Sequence, residues 1–269
     1  MKNVSIHKNG EVGAVLASQG GQISLLSGKS GPLSTECSQT SGRFEFLSAG
    51  GCLLCDEIQN NAPLSVRTGL CTHPGQNILL ESDRFLFLHD ISPLVPGHCL
   101  LIPKRHHRSF GRLPPDHFDE LRHFRKKCTA LVARESCAPL LFEHGSGSGE
   151  MQSGACVHHA HIHFLPIRAP VQRWMAEAGE VELTRTPRQF DSPERFGLRD
   201  YLAYEDEHGR SFVVTRLTKR LPCQFIRRRV AAHLGLTDWN WETRCIGHLA
   251  QTTLDRPTTN CSAPDLCRL

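Results

Sequence analysis

His158-His159-Ala160-His161-Ile162-His163-Phe164-Leu165-Pro166 is the stretch whose reading decides the fold of this chain. From His159 onward, histidine alternates with apolar residues, the pattern of a β-strand with two unlike faces. Successive side chains on a strand point to opposite sides, so His159, His161 and His163 share one face at intervals of roughly 6.6 Å. Ala160, Ile162 and Phe164 point into a core. Read alone, the stretch also fits a metal-binding or simply solvated histidine cluster.

The rest of the chain narrows the choice. A length of 269 residues allows one large domain, or one domain extended at both ends. A hydrophobic fraction of 39% suits a soluble protein, and no apolar run approaches the roughly 18 residues that span a bilayer. Nothing in the first twenty residues reads as a secretory signal, so a cytoplasmic location without membrane attachment is expected. The 12 cysteines then read as reduced thiols and metal ligands rather than a disulfide framework. A net charge of +4 without a dense basic stripe argues against a specific nucleic-acid partner. The tight cluster Arg227-Arg228-Arg229 reads as a solvated helix face.

Residues 1–48 are rich in Gly and Ser and read as a poorly ordered extension, with a short hairpin at most over 14–26. Structure is expected from Cys52, a loop over 60–76, and short strands at Asn77–Leu80, Phe85–His89 and His98–Pro103. Pro114-Pro115-Asp116 starts a helix whose Phe118, Leu121, Phe124, Cys128, Leu131 and Val132 fall at helical spacing. Leu140–Glu143 and Ala155–Ile167 return as strands around a Gly/Ser loop. A helix at 171–178, a hairpin over 200–216, and an amphipathic helix at 223–234 ending at Gly235 follow. Trp239 and Trp241 read as packing residues that pin this part down. Residues from 257 read as a loose tail.

Several separated motifs arrive in one order: Leu88-His89-Asp90-Ile91-Ser92-Pro93, Pro96-Gly97-His98, Ile102-Pro103-Lys104-Arg105-His106, and the alternating histidines. Together they resemble the histidine-triad (HIT) nucleotide hydrolases and transferases over about residues 49–168. Phe142-Glu143-His144-Gly145 with Ala155-Cys156-Val157-His158-His159 is similar to a longer, bacterial-type branch with a C-terminal extension, here 169–256. The resemblance implies an α+β fold, an antiparallel sheet of about five strands with one long helix, plus a C-terminal α/β extension packed on the core. It also implies a homodimer, unless the extension covers the joining surface.

A neutral imidazole can attack phosphorus and yields a phosphoramidate labile enough for water to resolve. The resemblance makes His161 that nucleophile, with His163 and His98 contacting the phosphate or leaving group. Asp90 would accept from the ribose hydroxyls, with Ile91 and Phe85 bordering the base and Gly154 and Cys156 beside the phosphate. Cys156 departs from the hydroxyl residue of relatives, and Glu143 stands where many carry an amide and would repel a phosphate.

Cys52-Leu53-Leu54-Cys55 is half a zinc site, and also fits a redox pair or buried thiols. The resemblance completes it with His106 and His159, with His107 competing, as a structural zinc that does not touch substrate; no organic cofactor is implied. The expected activity is hydrolysis or nucleotidyl transfer at the α-phosphate of a nucleotide substrate, of adenosine type, through His161. The alternative is a non-catalytic nucleotide-binding or zinc-organised scaffold protein.

Overall fold

The computed structural model of the protein describes residues 51–133, 138–147, 152–184 and 199–242. The N-terminal extension with its hairpin, and the tail from 257, lie outside the described residues. The chain opens on two short helices, α1 (Leu53–Gln59) and α2 (Leu64–Arg67), the second a helical turn inside the expected loop. Strands β1 (Ile78–Glu81), β2 (Phe85–His89) and β3 (Cys99–Pro103) follow. Next come α3 (Phe118–Val132), β4 (Leu140–Gly145) and β5 (Ile162–Leu165). The extension adds α4 (Val171–Ala178), β6 (Gly179–Thr184), β7 (Tyr201–Glu205), β8 (Ser211–Leu217) and α5 (Phe225–His233).

β2 and β3 are apolar almost throughout because both sheet faces are covered. Phe85, Phe87, Cys99 and Leu101 pack with Ile162 and Phe164 against Leu121, Phe124 and Cys128 of α3. Leu86, Leu88, Leu100 and Ile102 face the other way, toward Leu54 of α1. The helical spacing read for α3 is therefore the stripe that covers the sheet. Phe85 lies wholly in this core, stacked near Phe110 and Phe124, and borders no site.

Eight strands form one antiparallel sheet in the order β1-β2-β3-β5-β4-β7-β8-β6. The first five are the expected sheet, and the extension continues it. β7 pairs along β4 from Leu141↔Glu205 to Gly145↔Tyr201, and a buried Arg125–Glu205 ion pair at 3.4 Å ties α3 to β7. α4 and α5 then pack Trp174, Met175, Phe225, Ile226 and Val230 over Leu140, Phe142 and Leu165. The extension is thus part of the same compact unit, Thr40–Leu269. Because β7 occupies the edge of β4, dimerisation by pairing that edge is closed to this chain.

The histidine strand is shorter than its alternation suggests. Regular pairing covers only Ile162–Leu165, between β3 and β4. Upstream, the backbone is held by single bonds: the Ala160 N–H donates to the His107 carbonyl at 2.6 Å, and the His159 ring to the Pro103 carbonyl at 2.7 Å. β3 has ended at Pro103, so no ladder is left for His159 to join.

Candidate active site

A cavity opens on the α1 side of the sheet, lined by Leu53, Leu54, Asp90, Ile91, Leu100, His144, Gly154–Val157, His161, His163, Gln224, Arg227 and Trp241. Of the expected substrate and catalytic residues, Asp90, Ile91, Gly154, Cys156, His161 and His163 are brought together here.

The hydrogen bonds assign each imidazole a tautomer, because in each case one partner can only donate or only accept. His161 Nδ1 lies 2.7 Å from the His159 carbonyl. That nitrogen carries the proton, and Nε2 keeps the lone pair. The Leu94 N–H donates to His98 Nδ1 at 3.1 Å, so His98 is protonated on Nε2. From there it donates to His163 Nδ1 at 2.9 Å, and the His163 proton sits on Nε2. The Phe142 ring stacks on His163 with centroids 4.3 Å apart, fixing its plane. Burial lowers the pKa of His161 and drives that of His163 well down, so both rings are neutral near pH 7. The site therefore presents an imidazole lone pair on His161 beside an imidazole N–H on His163.

Two expectations are corrected here. His98 is fully buried, does not line the cavity, and has both ring nitrogens engaged by protein. It orients His163 rather than touching a phosphate, because the Leu94–His98 turn folds its ring behind the strand. Glu143 points to the opposite face of β4. Its Oε1 accepts the Phe110 N–H at 2.8 Å and its Oε2 the Tyr201 hydroxyl at 2.6 Å. Strand alternation instead puts His144 on the cavity side, neutral because burial lowers its pKa to about 3. The repulsion expected from Glu143 does not arise.

Cys156 also differs from its expected form. It is joined to Cys223 by a disulfide, with Cα atoms 5.7 Å apart, so its sulfur is no thiol donor. Among the described residues, Cys52, Cys55, Cys71, Cys99 and Cys128 are not disulfide-bonded. The backbone explains the pairing: Leu221 N–H donates to Gln152 O at 2.9 Å and Gln224 N–H to Gly154 O at 2.8 Å. Gly154 has φ +78°, and a Cβ there would come within 2.4 Å of the Pro222 carbonyl. Glycine is required for the extension to seat against this loop.

The extension also supplies residues that the sequence reading missed. Arg227 is buried inside the cavity wall, not on a solvated face. Its Nη1 reaches Asp90 Oδ2 at 3.2 Å, its Nε donates to the Trp239 carbonyl at 2.7 Å, and its Nη2 donates to Ser92 Oγ at 3.0 Å and to the Ser92 carbonyl. Arg228 lies over the Trp239 ring at 3.8 Å, and Arg229 pairs with Glu177. Trp239 packs as expected, whereas Trp241 lines the cavity with Gln224. The apolar stripe Ile226, Val230, Ala231 could have placed Arg227 inward, since it sits between them on the helix.

A second cluster stands apart from the cavity. Cys52, Cys55, His106 and His159 offer ligand atoms all within 4.8 Å of one another. Sulfur to Nδ1 separations are 3.5 Å for Cys52–His159, 3.4 Å for Cys55–His159 and 3.3 Å for Cys55–His106. A tetrahedral zinc with ordinary bond lengths needs edges of about 3.4–3.8 Å, so the donor set fits. His159 gives its Nε2 proton to Pro103, which leaves Nδ1 free to ligate. Burial and the neighbouring Cys52 push the Cys55 thiol up to about 11, a penalty that a dication would remove. His107 is not in the cluster; its ring meets His117 instead.

The HIT domain family model matches residues 73–169. An uncharacterized HIT-like protein of Helicobacter pylori is 31% identical over 88 residues, covering 32% of this chain and 80% of that protein. The chain belongs to the HIT family. The adenosine 5'-monophosphoramidase of Candida albicans is 27% identical over 114 residues, covering 39% of this chain and 72% of that protein. Among solved structures, a zinc-bound histidine triad family protein from Mycobacterium smegmatis is 21% identical, covering 45% of this chain and 78% of that chain, with a TM-score of 0.34. The HIT match ends near the start of α4, so β6–β8 and α5, with Arg227 and Trp241, lie beyond it.

Proposed function

We propose that this HIT protein cleaves nucleoside 5'-phosphate derivatives at the α-phosphate through a nucleotidyl intermediate on His161. The observation that carries the reading is the paired tautomers: a lone pair on His161 Nε2 next to an N–H on His163 Nε2. In the first step His161 Nε2 bonds to the α-phosphorus, the bond to the leaving group breaks, and the leaving group departs with a proton drawn from solvent water. The His163 N–H donates to the phosphoryl oxygens as charge builds there, and the His159 carbonyl steadies the positive charge shared by the His161 ring. Water then attacks the phosphorus and breaks its bond to Nε2, releasing the nucleoside monophosphate, returning one proton to solvent and restoring neutral His161. Transfer to another acceptor follows the same path with that acceptor in place of water.

The relationship to an adenosine 5'-monophosphoramidase supports adenosine 5'-phosphoramidates as the substrate class to try first. Zinc on Cys52, Cys55, His106 and His159 is part of the same proposal, as a structural tie with no part in either step. Adenosine 5'-phosphoramidate should be hydrolysed to the monophosphate, with kcat/KM falling at least about 10³-fold in His161→Ala, which removes the nucleophile. Turnover retained within tenfold in that variant would overturn the assignment.

A further inference from the structure

We propose that the Cys156–Cys223 disulfide is a thiol-reducible clasp that sets how firmly the C-terminal extension closes the cavity. The inference rests on the nucleotide reading above for the identity of the ligand, and on the fold for the clasp itself. Cys156 lies in the loop 154–157 that lines one side of the cavity, and Cys223 precedes Gln224, which lines it too. α5 starts directly after Gln224 and carries Arg227 into the same wall. Around the disulfide, loop and extension meet through single hydrogen bonds. The Leu221 and Gln224 amides donate to the Gln152 and Gly154 carbonyls, and the Ile226 amide donates to His144 Nε2. Such bonds are individually weak in water, so the covalent link beside them governs how often the wall opens.

The exposure of the two cysteines makes the link reversible. Cys223 is exposed and Cys156 half-buried, so a thiol in solution reaches the bond from the Cys223 side. Exposed disulfides are the ones that exchange readily. A thiolate attacks the Cys223 sulfur, the S–S bond breaks, and Cys156 leaves as a thiolate that takes a proton from solvent. A second thiol then displaces Cys223 from the mixed disulfide. Two external thiols are oxidised to their disulfide, and the two cysteines are reduced. The imidazoles are held by contacts that do not run through the clasp: His161 by the His159 carbonyl, His163 by His98 and the Phe142 ring. Reduction therefore loosens ligand binding and leaves the imidazole pair in place. KM should rise while kcat stays within about threefold.

The test compares the full chain oxidised with glutathione disulfide and the same protein reduced with dithiothreitol. Reduction should speed hydrogen exchange over 221–228 at least about tenfold, with β2 and β3 unchanged. AMP affinity, read by calorimetry, should fall at least about fivefold, as the closed wall becomes less populated. Cys223→Ser should match the reduced protein and ignore dithiothreitol. Four results overturn the proposal: no Cys156–Cys223 bond by mass spectrometry after oxidation and alkylation, equal exchange in the two states, equal AMP affinity in both, or the same dithiothreitol response in Cys223→Ser, which would trace it to other thiols. If that variant does not fold, the two forms of the unmutated chain decide alone. Faster exchange on reduction with AMP bound in neither state keeps the clasp and sinks the nucleotide reading.

Discussion

Glu143 shows how much rests on one side chain's direction. The sequence sets it where it would face a phosphate; the fold turns it into the core, fully buried against Tyr201 and Phe110. Burial raises its pKa from the usual 4.5 to about 7. The unfolded chain therefore releases this proton before the folded one does, and the folded state loses stability as pH rises through that window. Glu143→Gln removes the dependence. It should raise Tm relative to the unmutated protein more at pH 8 than at pH 5, by the equivalent of about 1–3 kcal/mol. A Tm difference that is the same at both pH values would contradict the burial argument. His98 shows the same kind of shift, from expected substrate contact to support for His163, because its ring is closed behind the strand by the Leu94 N–H.

Elements were legible where composition repeats and obscure where phase matters. The apolar runs of β2 and β3, the helical spacing of α3 and the hairpin of β7 and β8 appear in the sequence at nearly their observed bounds. Which face a residue takes is harder, because a shift of one residue in a strand reverses every side chain. Glu143 and His144 on β4 are that case. For α5 the phase depends on Gln224, whose left-handed backbone (φ 59°) sets where the helix begins and so turns Arg227 inward. The four-residue Cys/His cluster was legible in the sequence, and the zinc proposed for it would tie the start of α1 to the segment leading into β5. Purified protein should hold about one zinc per chain. Cys52→Ser should lose most of it and lower Tm by roughly 5–10 °C, as expected for a few kcal/mol in a chain of this size. Absence of zinc from the unmutated protein would remove the tie.

The whole molecule differs from the sequence expectation mainly in what the extension does. The sequence leads one to expect an α/β extension packed on the core; it contributes three of the eight described strands and much of one hydrophobic cluster. It also fastens the 152–156 loop through Cys223 and Gln224, and lines the cavity with Arg227 and Trp241. None of this could be read from local pattern, since β-pairing of β7 with β4 joins residues about sixty positions apart. The arrangement on which the proposed chemistry rests stands beside these additions: His159 holds His161, His98 holds His163, and a lone pair on one ring stands beside a donor on the other. That pairing is the central claim, and a covalent intermediate is its direct consequence. Protein quenched in alkali during turnover of adenosine 5'-phosphoramidate should carry one adenylyl group, mapped by mass spectrometry to His161 and absent from His161→Ala. Full turnover with no adenylylated histidine under trapping conditions, or a label on a different residue, would contradict the account.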